Sequence, residues 1–410
     1  MTTTNANTRG LSRMEFIGLV AALMALNALA IDVMLPAFPY MGEALGVTNE
    51  NDRQLVLSMY LLGFGFTQLI FGPLSDRYGR RVPLLLGLVI YLIAAFAGAI
   101  APNFETLLTL RFIQGMGAAG TRVIAQSVVR DCFSGRAMAE VMSLVFMVFM
   151  AMPIVAPGIG QVLLLTGPWW TIFLFMGGLA TVITLWAYWR LPETLADENR
   201  RPLTAKAITE GFVIVFTNRV AISYAIAGTF LFGGLIGFIN ASQQIYVGIY
   251  GLGPWFPLAF AAIASVMALS SFLNSRVVGR FGMRRISHMA VIVFTIAAGV
   301  LWIVSLNGPV PLWLFFCILS VVMFMFGWSA SNMNSLSMEP LGKVAGTASS
   351  VFGFIQTVGG ALLGLTIGRM FDGTITPIFA GYTFMGIGTF AFILFAEKGK
   401  LFGVGEQYDD

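Results

Sequence analysis

Charge is scarce in this chain. Only 10% of its 410 residues are Asp, Glu, Lys or Arg, where soluble domains carry about 25%. With 58% hydrophobic residues as well, a water-soluble protein could not cover its own surface, so lipid must be the solvent for much of it. Histidine is represented by His288 alone, beside a loop with several arginines. No cluster of His, Cys and carboxylate has metal-ligand spacing, and no G-x-x-x-x-G-K-S/T phosphate loop occurs. The sequence thus offers an enzyme no metal site and no nucleotide site, and it implies no cofactor. Cys132 and Cys317, the two cysteines, lie in or beside apolar segments and read as free thiols, not a structural disulfide.

Long apolar runs take the place of those features. Runs of about 18 to 25 residues fall near 14–38, 54–74, 82–100, 105–128, 137–163, 169–190, 220–247, 256–277, 286–306, 310–333, 343–368 and 376–396. The polar start, MTTTNANTRGLSR, leads into a run too long for a signal-peptide core, and no small-residue cleavage site follows it. The first run therefore reads as a retained span. Most connections are very short. The polar stretch 191–218 is the main exception, and it separates six spans from six.

The net charge of +4 and pI near 9.2 invite a nucleic-acid reading, which the placement of the charges rejects. With the N-terminus inside, 19 of the 23 basic residues fall on the cytoplasmic side. Arg53 and Arg369 fall outside, and Arg111 and Arg122 lie within span 4. Such asymmetry determines membrane topology. The fold class that follows is an all-α integral membrane protein, its twelve transmembrane helices forming two pseudo-symmetric six-helix bundles with both termini in the cytoplasm. Residues 1–190 make the first bundle, 191–218 the linker and 219–410 the second bundle.

The halves echo each other in sequence. DRYGRR (76–81) follows span 2 and GRFGMRR (279–285) follows span 8, with Arg77, Tyr78 and Gly79 matching Arg280, Phe281 and Gly282. At nearly the same offset, APGIGQVLL (156–164) in span 5 falls against TVGGALLG (357–364) in span 11. Parallel six-span repeats are a transporter architecture with the substrate site near the midplane.

GPLSDRYGRR (72–81) also fits the loop pattern G-x-x-x-D-R-x-G-R-R/K at every fixed position: Gly72, Asp76, Arg77, Gly79, Arg80 and Arg81. Three further pieces are DVMLPAFP (32–39) in span 1, RFIQG (111–115) in span 4 and MPIVAPGIG (152–160) in span 5. MEPLGKVAGTASSVFGFIQTVGGALLG (338–364) joins them in the second half. On these residues the chain resembles the major facilitator superfamily, and within it the drug:proton antiporters of the bicyclomycin and chloramphenicol exporter type (Bcr/CflA). The antiporter pattern G-P-x-x-G-G of span 5 appears only as Ala156-Pro157-Gly158-Ile159-Gly160-Gln161. Met24 stands roughly where some multidrug relatives carry a second acid.

Asp32 is the one carboxylate placed well inside a span. An ionised acid at depth costs on the order of 2.5–3.5 kcal/mol even on the lenient insertion scale, so Asp32 gains from taking up a proton and reads as a proton carrier. The other reading is a structural acid satisfied by an arginine or by the outer mouth. Arg111 and Asp32 both lie roughly 10 Å below the outer surface, at 1.5 Å per residue. Arg111 is therefore expected to sense the charge of Asp32, directly or through Gln114 and water; alternatively it holds backbone carbonyls. Arg122, three turns on, either lines the inner cavity and attracts anionic or zwitterionic substrates or snorkels to the cytoplasmic interface.

The resemblance implies that the 72–81 loop is a gate latch, with Asp76 against the start of span 11 near Gly342 and Arg80 paired with Asp131. The alternative is a purely topogenic role for its arginines. It further implies that Pro153, Pro157, Gly158 and Gly160 make a bend in span 5 that seals against a neighbour, unless they are the ordinary Pro and Gly of membrane helices. Candidates for the substrate cavity are Asn27, Tyr60, Gln68, Gln114, Arg122, Asn240, Gln243, Gln244, Trp328, Asn332 and Gln356, polar or amphipathic groups inside apolar spans.

The expected activity is proton-coupled efflux of small amphipathic compounds such as antibiotics. The alternative is a metabolite facilitator or proton symporter on the same fold. Expected partners are a small-molecule substrate, protons and the bilayer, with no nucleic acid. The energy source would be a proton gradient, the chain a monomer, and its place the bacterial inner (cytoplasmic) membrane.

Overall fold

Backbone amides in hydrocarbon find no water to bond, so an apolar run that crosses a bilayer must satisfy its own N–H and C=O groups and becomes helix. A computed structural model describes residues 11–200 and 212–403, and the secondary structure of these residues is entirely helical. Arg9, Arg201, Lys206 and residues 201–211 of the expected linker lie outside the described residues.

Six long helices make up the first half: α1 (Arg13–Asp32), α2 (Leu55–Tyr78), α3 (Arg81–Ala99), α4 (Phe104–Cys132), α5 (Gly135–Thr166) and α6 (Thr171–Arg190). The second half has α7 (Arg219–Gln243), α8 (Phe256–Phe281), α9 (Met283–Ser305), α10 (Leu312–Met338), α11 and α12 (Thr376–Ala396). Helix α11 is built from Ala345–Phe354, a π-helical turn Ile355–Gly359, and Gly360–Arg369. Among the described residues, 11 helices are long and apolar enough to cross a membrane. Helix α4 joins them by length, since 29 residues span roughly 44 Å at 1.5 Å each; its interior arginines make it less apolar. Asn103 and Asn218 start α4 and α7 by accepting the N–H of the third residue on, at 2.9 Å in both.

The chain divides into two compact units, Met1–Thr204 and Ala205–Asp410. Within the first unit, α2 and α3 both pack on α4, α3 on α6, and α1 on α4, α5 and α6. Within the second, α8 and α9 pack on α10, α9 on α12, and α7 on α10, α11 and α12. Every pairing of the first unit thus recurs six helices later, which makes the short sequence echo a true structural repeat.

Close approach of backbones holds the first unit together. A Cβ on Gly115 of α4 would lie 2.0 Å from the Tyr60 carbonyl, and one on Gly63 of α2 would lie 2.0 Å from the Phe112 carbonyl. Small residues at such crossings let membrane helices pack at van der Waals contact where no hydrophobic force favours association. The apolar side chains left outside, among them Ile93, Val182, Leu258, Ile296 and Phe384, are far too numerous for an aqueous surface. They form the coat that lipid covers.

Candidate functional site

Helix α1 stops at Asp32 because Pro36 has no N–H to return to the Asp32 carbonyl. A short 3-10 turn, Leu35–Ala37, re-aims the chain into a second helical piece, Phe38–Ala44. Asp32 therefore sits at a kink. It is only 3% exposed, and its Oδ1 atom has no hydrogen-bond partner.

Arg111, 1% exposed, does not neutralise it. Its Nε donates to the Val56 carbonyl at 3.2 Å, one Nη to Gln114 Oε1 at 2.7 Å and the other to the Ala30 carbonyl at 3.0 Å. Its guanidinium lies 4.5 Å from the centre of the Tyr60 ring, and the Tyr60 hydroxyl donates to Asn27 Oδ1 at 2.7 Å. Of the arrangements the sequence left open, a direct contact with Asp32 is not formed and the hold on backbone carbonyls is. Arg111 instead ties α4 to backbone carbonyls of α1 and α2, and Gln114 orients Arg111 and not the acid. The link to Asp32 runs through the helix, since Ala30 is two residues away. Asn27 and Tyr60 thus form a buried cross-link between α1 and α2, and buried Gln114 lies between Arg111 on its own helix and Met176 Sδ of α6 at 3.9 Å.

Helix α5 touches the same kink. A Cβ on Gly160 would sit 2.1 Å from the Val33 carbonyl and 2.9 Å from Pro36, whereas one on Gly158 would meet nothing within 4 Å. Pro153 and Pro157 stand inside a helix that runs on through both. Of the expected hinge residues, Gly160 is thus the one that the packing demands. Gly160→Val should cut turnover at least tenfold in reconstituted vesicles, while Gly158→Ala changes it less than twofold. Equal effects at the two positions would remove Gly160 from any special role.

At the other end of this unit, α3 begins where Gly79 turns the chain with φ +88°. Glu193 accepts the backbone N–H groups of Arg80 at 2.8 Å and Arg81 at 3.1 Å, a carboxylate at a helix N-terminus. A Cβ on Gly79 would strike that carboxylate at 2.3 Å. The Arg80 side chain is buried and donates to Asp131 Oδ2 at 2.7 Å, Ser75 Oγ at 2.9 Å and Asp76 Oδ1. Arg81 reaches the Tyr188 carbonyl, and Arg77 is exposed over the ring of Tyr78. Gly72 contributes its carbonyl, which accepts from Ser75 at 2.9 Å. Glu193 escaped the sequence reading: it lies in a polar stretch whose acids look alike until the fold returns one of them to α3.

The second unit has a related arrangement, in which the carboxylates hold a side chain instead of the helix backbone. Gly282, φ +81°, starts α9, and Arg284 pairs with Glu397 at 2.9 Å and Glu339 at 3.2 Å. Glu397 also accepts from the Tyr224 hydroxyl at 2.7 Å, which contacts His288 Nε2 at 3.0 Å, while His288 Nδ1 accepts the Phe402 N–H at 3.1 Å. The single histidine is a buried structural link.

Among the other cavity candidates, Asn332 donates to Asn274 Oδ1 at 2.9 Å and Trp328 Nε1 to the Ser270 carbonyl at 3.0 Å. Both clamp α10 to α8. Gln68 and Gln243 are buried. Gln244, also buried, opens the π-helical segment Gln244–Ile249, and Gln356 stands in that of α11; π-segments often mark functional positions. Both polar atoms of the Asn240 amide are buried without a partner. Arg122 is half-buried, with its guanidinium 5.8 Å from the Phe64 ring centre.

A family model, the Major Facilitator Superfamily, matches residues 20–364. The chain belongs to the Major Facilitator Superfamily. It is 30% identical over 371 residues to an MFS-type transporter of Bacillus subtilis (YdgK), covering 88% of this chain and 90% of that one. It is 29% identical to a bicyclomycin resistance protein homolog of Haemophilus influenzae, covering 88% and 91%. A chloramphenicol resistance protein of Pseudomonas aeruginosa is 30% identical, covering 83% and 79%. Among solved structures, a D-xylose-proton symporter superposes with a TM-score of 0.72 at 16% identity, covering 95% and 100%. Superfamily membership makes the chain a multi-pass membrane transporter, and its two six-helix bundles are the superfamily's fold.

Proposed function

We propose that this transporter is a drug:proton antiporter that exports small amphipathic compounds by alternating access. The observation that carries the proposal is Asp32: a buried carboxyl at a helix kink with an unpartnered oxygen, while the adjacent arginine spends its donors elsewhere. A group in that state can accept a proton in one conformation and release it in another without first breaking an ion pair. The resistance functions in the names of the similar proteins from Haemophilus influenzae and Pseudomonas aeruginosa support export of antibiotics.

In this reading the proton gradient supplies the energy. The chain works as a monomer in the bacterial inner membrane with both termini in the cytoplasm, and Asp76 exchanges Arg80 for another partner during the cycle. The test is proton release from purified, weakly buffered protein on addition of chloramphenicol, a fluoroquinolone or a lipophilic cation. Release of protons on drug binding is the expected result. Binding without release would mark a facilitator or a symporter instead.

A further inference from the structure

Two arginines lie inside α4, and their surroundings differ in kind. Every nitrogen type of Arg111 is engaged by a carbonyl or by Gln114. Among the described residues Arg122 has no hydrogen bond and no ion pair; its contact is the face of Phe64, 5.8 Å away. Nor is it sealed, since the residue is half-buried.

The direction in which Arg122 points rules out the snorkelling reading. Helices α2 and α4 run side by side in the same direction, because Gly115 meets Tyr60 and Gly120 meets Phe71. Arg122 therefore leaves α4 just beyond the level of Phe71, yet its guanidinium lies over Phe64. That ring is seven residues, about 10 Å, back toward the start of both helices. A snorkelling arginine would extend the other way, toward Arg130 and the loop that follows. Side chains on a helix lean toward its N-terminus, and here the lean carries the cation into the bundle.

We propose that Arg122 anchors an anionic group on the transported molecule, so that this exporter favours amphipathic carboxylic acids, zwitterions included. The inference rests on the export reading and names its substrate class. An unpaired, half-buried guanidinium over an aromatic ring is completed by a carboxylate that takes two of its N–H groups. The aromatic face beneath it suits the flat apolar body of such a molecule.

The experiment is calorimetric binding to the purified full-length protein of three probes: ciprofloxacin, its methyl ester and chloramphenicol. Wild type is expected to bind the acid at least tenfold more tightly than the ester. Arg122→Gln should reduce that ratio to within twofold of one and leave chloramphenicol affinity within twofold, while Arg122→Lys keeps part of the preference. An acid-to-ester ratio near one in wild type, or equal weakening of all three probes in Arg122→Gln, overturns the assignment while leaving export intact. If wild type binds none of the three, the export reading itself falls, and this assignment with it.

Discussion

Asp32→Asn is expected to abolish drug-driven proton release and to reduce uphill export in proteoliposomes at least a hundredfold, while drug binding at fixed pH stays within about threefold. The substitution keeps the shape of the side chain and removes only its capacity to carry a charge. The kink at Pro36, the contact of Gly160 with the Val33 carbonyl and the hold of Arg111 on Ala30 do not depend on ionisation of Asp32, so the fold has no reason to change. An unpartnered carboxylate in hydrocarbon surroundings is costly and an unpartnered carboxylic acid much less so, and this difference couples the protonation state to the conformation. Proton release that persists in Asp32→Asn, together with a lower melting temperature, would make Asp32 a structural acid and move the coupling elsewhere.

Gly115→Leu should have the largest effect on folding. The added Cβ would lie 2.0 Å from the Tyr60 carbonyl and 2.9 Å from the Phe64 nitrogen. Both are backbone atoms, which cannot rotate out of the way. Overpacking a core costs about 1–3 kcal/mol when side chains can adjust, and here the two helices must separate, so the cost lies at or above the upper end. The bonds from Arg111 to Val56 and Ala30 and the stacking on Tyr60 would be lost with the same displacement. Size-exclusion and thermal-inactivation profiles in detergent are expected to show little folded protein. Gly178→Ala is the control: its Cβ would meet nothing within 4 Å, and Ala favours a helix over Gly by roughly 0.5–1 kcal/mol. If Gly115→Leu were as stable as Gly178→Ala, the tight α2–α4 crossing would be wrong.

The sequence made the twelve spans legible because hydrocarbon leaves the chain no other choice, and hydropathy registers the one variable that matters. The 72–81 loop was legible for a related reason: Gly79 needs its left-handed backbone and Arg80 its carboxylates, so residue types there are fixed by local geometry. The roles of Asn27, Tyr60, Asn332 and Trp328 were not legible. A polar residue in an apolar run marks a place where a hydrogen bond is needed, but its partner stands on another helix, 33 residues away for Tyr60 and 58 for Asn332. Sequence spacing carries no record of which helix that is. Arg122 shows the same limit from the other side: its position on α4 was plain, but only the register of α4 against α2 tells which way it reaches.

Glu193 has a consequence for biogenesis. It caps α3 from a position 112 or 113 residues further along the chain, after α6 has ended. While the first unit is being inserted, the start of α3 therefore waits, uncapped, until the sixth helix has left the translocon. Until Glu193 arrives, the first backbone N–H groups of α3 lack that carboxylate acceptor. In the second unit Glu397, just beyond α12, holds the Arg284 side chain in the first turn of α9, a link that likewise forms only after the sixth helix of its half.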